Sequence, residues 1–217
     1  MVRFILASAS PRRQALIQLL QRPVEVCVAD VDESSVSDPD PAVDVVETAR
    51  LKAEAVAQEL VEPALIVAAD TTVALHGEIL NKPASPAAAR RMLNRLRSHT
   101  HHVHTGLVLL DTERGQIQQT VSTTAVTMRN YSEEEVAAYV ATGDPMDKAG
   151  AYAIQHRGFR PVARLDGCYS GVVGLSLCRL SEALAKMGVV VNLPVATEQH
   201  DYRNCTTCLA LLDGLLF

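Results

Sequence analysis

Tryptophan is missing from this 217-residue chain, and aromatic residues make up only 4% of it. That excludes the stacking platforms on which single-stranded nucleic acids lie. Lysine and arginine number 20 against 25 aspartates and glutamates, for a formal charge of −5. No general basic footprint for nucleic acid exists at that balance, although local basic clusters remain suited to small anions. Long hydrophobic runs are absent as well: Ala64 to Ala69 falls far short of the roughly 20 residues that span a bilayer. The cysteine count of five is odd. Cys27, Cys168 and Cys178 lie singly in apolar surroundings and read as buried reduced thiols, not as a disulfide framework. Met1-Val2-Arg3 runs straight into a strand-like stretch without the apolar core of a signal peptide, so a cytoplasmic location is the default expectation.

Hydrophobic residues supply 48% of the chain, ample for a buried core, and the length fits one domain or one two-lobed domain. Val2–Ala7 and Val24–Ala29 read as strands. Ser10-Pro11 and Ser85-Pro86 pair an N-cap with a proline at the first helical position, predicting helices to about Leu20 and Arg97. Pro41–Leu60 carries apolar residues at helical spacing. The run Ala64–Ala69 ends at Asp70-Thr71-Thr72, and Val73–Leu80 reads as a hairpin around His76-Gly77. Strands are expected at 103–110, 116–128, 151–154 and 161–165, and helices at 132–142 and 172–187. Without a strict βαβ rhythm, the pattern predicts an α/β (mixed α+β) fold, a mixed sheet with helices packed on it.

Six groups of residues carry chemistry. Ser8-Ala9-Ser10-Pro11-Arg12-Arg13 places two guanidinium forks at a helix start, a setting for phosphate oxygens or simply a capped helix with a basic first turn. Asp70 closes an apolar strand, where a metal ligand, a general base or a turn cap is expected. Lys82, before Pro83, is a phosphate clamp or a surface lysine. Asp32-Glu33 offers oxygen ligands for Mg²⁺ or Mn²⁺ or forms a solvated loop. Arg50 and Lys52 stand about 200° apart on a helical wheel, so one faces a cleft and the other solvent or a structural acid. Finally, small residues flank the charged triplet in 143–155, and Gln155 has the donor and acceptor that reading a pyrimidine edge requires.

Together and in this order, the stretches SASPRR (8–13), DE (32–33), ARLKA (49–53), AADT (68–71), NKP (81–83), GDPMDKAGAYAIQ (143–155) and YSGVVGLSL (169–177) closely resemble the Maf family of nucleoside triphosphate pyrophosphatases, over about residues 2–190. The resemblance implies an inosine-triphosphatase-like fold with two lobes around a deep cleft and a divalent cation as cofactor. It implies cleavage of a nucleoside triphosphate between the α and β phosphates, releasing a monophosphate and pyrophosphate. By position, Asp70 is the implied catalytic proton acceptor. Arg13, Lys52 and Lys82 are the implied phosphate contacts, Ser8 is an implied substrate-binding residue in the same loop as Arg13, and Glu33 joins Asp70 in holding the metal. Arg12, Thr71 and Gln155 match positions where subgroups differ, and the combination here is similar to the dTTP/UTP subgroup, with modified pyrimidine triphosphates as further substrates. The implied partner is the nucleotide alone, with no nucleic acid and no membrane, and a homodimer left open.

The family commonly has Asn and Pro where this chain has Gly171 and Ser176, which bears on local rigidity. The basic segment His156–Arg160 is expected to alter base selectivity or a lobe hinge. The domain is expected to end near residue 192, leaving an extension over 193–217 with His200, Cys205 and Cys208. These three are a zinc or dithiol candidate, with ordinary thiols as the plainer reading. Two rivals remain: a non-catalytic regulator of septum formation and cell division, and a phosphatase releasing single phosphates.

Overall fold

The computed structural model describes residues 3–28 and 30–191. Among them, seven strands form one mixed sheet in the order β2 (Glu25–Val26), β1 (Phe4–Leu6), β3 (Leu65–Leu75), β5 (Thr100–Asp111), β6 (Gln116–Met128) and β7 (Val162–Asp166), with β4 (Glu78–Ile79) paired to the end of β3. β1 runs parallel to both of its neighbours, and the remaining pairs are antiparallel. The expected mixed sheet is therefore present, and no helix among the described residues is long and apolar enough to cross a membrane.

One device starts three of the helices: a polar N-cap followed by proline. It opens α1 (Pro11–Ile17) with Ser10, α2 (Pro41–Glu59) with Asp40 and α3 (Pro86–Leu96) with Ser85. α4 (Glu133–Ala141) instead carries a full capping box, Ser132 with Glu135.

Four expectations need correction. The strand holding Asp70 does not end there. β5 pairs with β3 along its length, from Leu65 to Ala74, and carries it through Asp70, Thr71 and Thr72. The expected strand at 151–154 is a 3-10 turn at 149–151 followed by a turn at 154–155, because Gly150 and Ala151 both adopt positive φ. The helix expected over 172–187 is two helices, α5 (Tyr169–Val173) and α6 (Leu177–Lys186). Gly174, at φ +135°, stops the first, and Ser176 caps the second. β2 is also shorter than expected.

Side-chain alternation along the strands builds two cores, one on each face of the sheet. Leu65, Val67, Leu107 and Leu109 pack with Leu16, Leu180 and Leu184 on one face. Ile66, Ala68 and Val108 meet Ala49, Ala53 and Val56 of α2 on the other. Each fully buried leucine contributes about 1.5–3 kcal/mol. Farther along the same strands a third core gathers Val73, Val103 and Val126 with Leu93 of α3 and Tyr139 of α4. Between these cores lies a polar band centred on Asp70–Thr72. The sheet thus supports two lobes, and the long strands cross from one to the other.

His101, in the lobe built on the third core, is 1% exposed. Its Nε2 lies 2.7 Å from the Tyr152 hydroxyl, and its buried Nδ1 has no partner among the described residues. Burial, helped by His102, lowers its pKa to about 4, against an ordinary value near 6.5. The unfolded chain therefore binds the extra proton more readily between these values. Stability from this residue is complete above pH 6.5 and is lost as pH falls toward 4, a contribution of the order of 3 kcal/mol. NMR titration of the His101 ring is expected to show a midpoint well below pH 6; a midpoint near 6.5 would contradict this account.

Candidate active site

The polar band opens to solvent because the sheet has a gap in its edge. β1 pairs with β3 only at Phe4–Leu6, against Leu65–Val67, and β4 joins only at Ala74 and Leu75. Between those pairings the β1 side of β3 lacks a strand neighbour among the described residues. Asp70 and Thr71 point to opposite faces, yet both reach the same space around that bare edge. The cleft there encloses about 1010 Å³, and Ser8, Arg12, Arg13, Glu33, Lys52, Asp70, Thr71, Lys82 and Gln155 all border it. That volume suits a ligand of nucleotide size.

On the α2 face, Lys52 Nζ lies 2.7 Å from Asp70 Oδ1 and 3.0 Å from Glu33 Oε1. Arg50 turns outward to Glu47 and Glu54, so the expected division of the two cations holds. Glu33 opens a short 3-10 turn capped by Asp32, whose carboxylate accepts from the Ser34 amide and hydroxyl. Asp32 therefore serves the turn, and only Glu33 of that acidic pair borders the cleft. Two carboxylates thus converge on a single cationic atom. Carboxylate oxygens are the donor type that Mg²⁺ or Mn²⁺ takes, but among the described residues no group of three or more His, Cys, Asp or Glu side chains comes together to hold a cation.

On the opposite face, Arg13 is fixed at three points. Its Nε donates to the Gly174 carbonyl at 2.8 Å, Nη1 to Ser8 Oγ at 3.3 Å and Nη2 to Thr71 Oγ1 at 3.2 Å. Burial lowers the Arg13 pKa, with the Asp70 charge opposing that shift, and a guanidinium nonetheless stays protonated. Ser8 Oγ also accepts from the Ser10 amide, and its own proton has no acceptor among the described residues. It is a donor available to an anion.

The far wall belongs to the other lobe. Leu80 is held between Val73 and Gly150 by backbone hydrogen bonds of 2.7 and 2.9 Å, which sets Asn81 and Lys82 at the rim. Arg12 crosses the cleft to Asp147 at 3.0 Å, and Lys148 Nζ bridges Asp147 and Asp144 at 2.6 and 3.0 Å. Burial acts to raise the Asp147 pKa, but hydrogen bonds from Lys148 and Arg12 outweigh it and leave that carboxyl below its ordinary value. Tyr139 extends the network, donating to Asp144 and accepting from the Ala153 amide two residues before Gln155. His156–Arg160 does not enter the cleft. Its His156 and Phe159 rings pack on Tyr139.

Sequence reasoning did not find Asp147 as the partner of Arg12, the Gly174 carbonyl that holds Arg13, or the glycine across the sheet from Asp70. The charged triplet at 144–148 was the one available signal. His200, Cys205 and Cys208 lie outside the described residues.

A family profile described as Maf-like protein matches residues 3–187. The dTTP/UTP pyrophosphatase of Moorella thermoacetica is 47% identical over 191 residues, covering 88% of this chain and 98% of that protein. The dTTP/UTP pyrophosphatase of Geotalea uraniireducens is 45% identical over 186 residues, covering 86% and 95%. Among solved structures, the Staphylococcus aureus Ham1 protein aligns over 98% of both chains at 16% identity, with a TM-score of 0.49.

Proposed function

Because the chain belongs to the Maf family, we propose that it is a nucleoside triphosphate pyrophosphatase that hydrolyses dTTP and UTP to the monophosphate and pyrophosphate. The observation that carries this reading is the convergence of Asp70 and Glu33 on the Lys52 ammonium, at 2.7 and 3.0 Å, in a cleft that Arg12, Arg13 and Lys82 also border. Cleavage of the bridging bond leaves negative charge on the departing pyrophosphate. Fixed guanidinium and ammonium groups stabilise that charge without having to reorganise.

Asp70 accepts the proton of a water whose oxygen bonds to the α phosphorus as the α–β bridging bond breaks. Ser8, Arg13, Lys52 and Lys82 hold the phosphates, and Arg12 reaches them by leaving Asp147. Thr71 and Gln155 face the nucleoside, where the Gln155 amide offers both a donor and an acceptor to a pyrimidine edge. Glu33 and Asp70 would hold the divalent cation, which when bound neutralises phosphate charge. Modified pyrimidine triphosphates are substrates of the same kind.

A nucleoside triphosphate panel with Mg²⁺ and Mn²⁺ tests this reading. Pyrophosphate release with dTTP and UTP is expected. Orthophosphate instead would mark a phosphatase, and no turnover at all would favour a non-catalytic regulator. Lys82→Ala is expected to lower kcat/KM by roughly 10²-fold. Its melting temperature should not change, because Lys82 is exposed and forms no ion pair among the described residues. Unchanged kinetics would remove Lys82 from the site.

A further inference from the structure

Three hydroxyls stand in one cross-strand row beneath α5. Thr71 on β3 is in register with Thr105 on β5, and Thr105 with Ser122 on β6. Thr105 is 1% exposed and lies behind the cleft wall, not in it. Its Oγ1 is 2.8 Å from the Gly171 carbonyl and 3.0 Å from Thr71 Oγ1. A carbonyl oxygen only accepts, so the single proton of Thr105 goes to Gly171. The proton between the two threonines must then come from Thr71. Thr71 Oγ1 in turn lies 3.2 Å from Arg13 Nη2, which only donates. Every hydrogen bond in the chain from Arg13 through Thr71 and Thr105 to the Gly171 carbonyl therefore has a fixed direction. Arg13 Nε meanwhile donates to the Gly174 carbonyl, so the segment 171–174 constrains one guanidinium by two routes.

We infer that Thr105 is a positioning residue for phosphate binding. It takes the Thr71 proton, turns the Thr71 lone pair toward Arg13, and so aims the rest of the guanidinium into the cleft. Thr71 has no proton left to donate and meets the nucleotide only as an acceptor or through its methyl group. This rests on reading the cleft as a triphosphate site.

Thr105→Val keeps the side-chain shape and removes both hydrogen bonds. With dTTP, well below the melting temperature, kcat/KM is expected to fall about 10- to 100-fold, chiefly through KM, because a small misplacement of a binding group has an effect of that size. Thr105→Ser should restore it. In a double-mutant cycle, Thr71→Val with Thr105→Val should be no worse than Thr71→Val alone, since both break the same chain. If Thr105→Val does not fold, Thr105→Cys, which keeps the volume with a weaker donor, gives the same readout. A folded variant that melts lower but retains wild-type kinetics overturns the inference, and so do additive effects in the cycle. A wild-type protein that hydrolyses no triphosphate overturns the functional reading instead, a result distinct from an active wild type whose Thr105→Val variant is equally active.

Discussion

Asp70→Asn is expected to abolish turnover of dTTP while leaving its binding measurable. A positioned general base contributes roughly 10²–10⁴-fold, and an amide oxygen does not replace a carboxylate in that role. The substitution conserves shape, and it does not strand Lys52, because Glu33 Oε1 remains 3.0 Å from Nζ. Measured without divalent cation, which Asp70 would help hold, the cleft has only lost one negative charge, so an anionic triphosphate should bind at least as well as before. Calorimetry with dTTP beside a pyrophosphate-release assay separates the two effects. Retained binding with lost turnover assigns Asp70 to the chemistry. Loss of both would make it a binding or folding residue, and full activity would remove it from the mechanism altogether.

Much of this arrangement is legible in the sequence where function and local structure share a signal. Ser10-Pro11 announces the helix that carries Arg12 and Arg13, and the abrupt change from Ala64–Ala69 to Asp70 marks the edge of the apolar cores. The helical spacing of 41–60 places Lys52 and Arg50 on different sides, as observed. What was not legible depends on pairing and backbone shape. Nothing local to Asp70 tells that β5 extends the strand beyond it, or that β1 stops short and leaves the edge open. The split between α5 and α6 turns on one glycine in an otherwise helical pattern, and that glycine's carbonyl, not a side chain, holds Arg13. Arg12 and Asp147 are 135 residues apart, so their contact across the cleft exists only in the folded chain.

The clearest case of a functional position without a motif is Gly106, for which Gly106→Ala is expected to damage both stability and catalysis. Gly106 is the cross-strand neighbour of Asp70. A Cβ there would stand 2.4 Å from the Val45 carbonyl oxygen and 2.7 Å from the Val46 nitrogen, both backbone atoms of α2. Backbone cannot swing aside as the end of a side chain does, so the helix and the sheet must separate. Overpacking of this kind costs typically 1–3 kcal/mol. The intrinsic preference runs the other way, since glycine within a strand is worse than alanine by roughly 0.5–1 kcal/mol, so any net loss reports the clash. Lys52 sits two helical turns beyond Val45 on the same helix, and its 2.7 Å contact with Asp70 depends on how closely α2 approaches. Displacing the helix should pull the ammonium off the carboxylate and lower kcat/KM by up to about 10²-fold, even where the variant is fully folded. Thermal melts and dTTP kinetics at low temperature measure the two effects separately. Wild-type values in both would mean that the approach of α2, and with it the placement of Lys52, is set by something other than the missing side chain at 106.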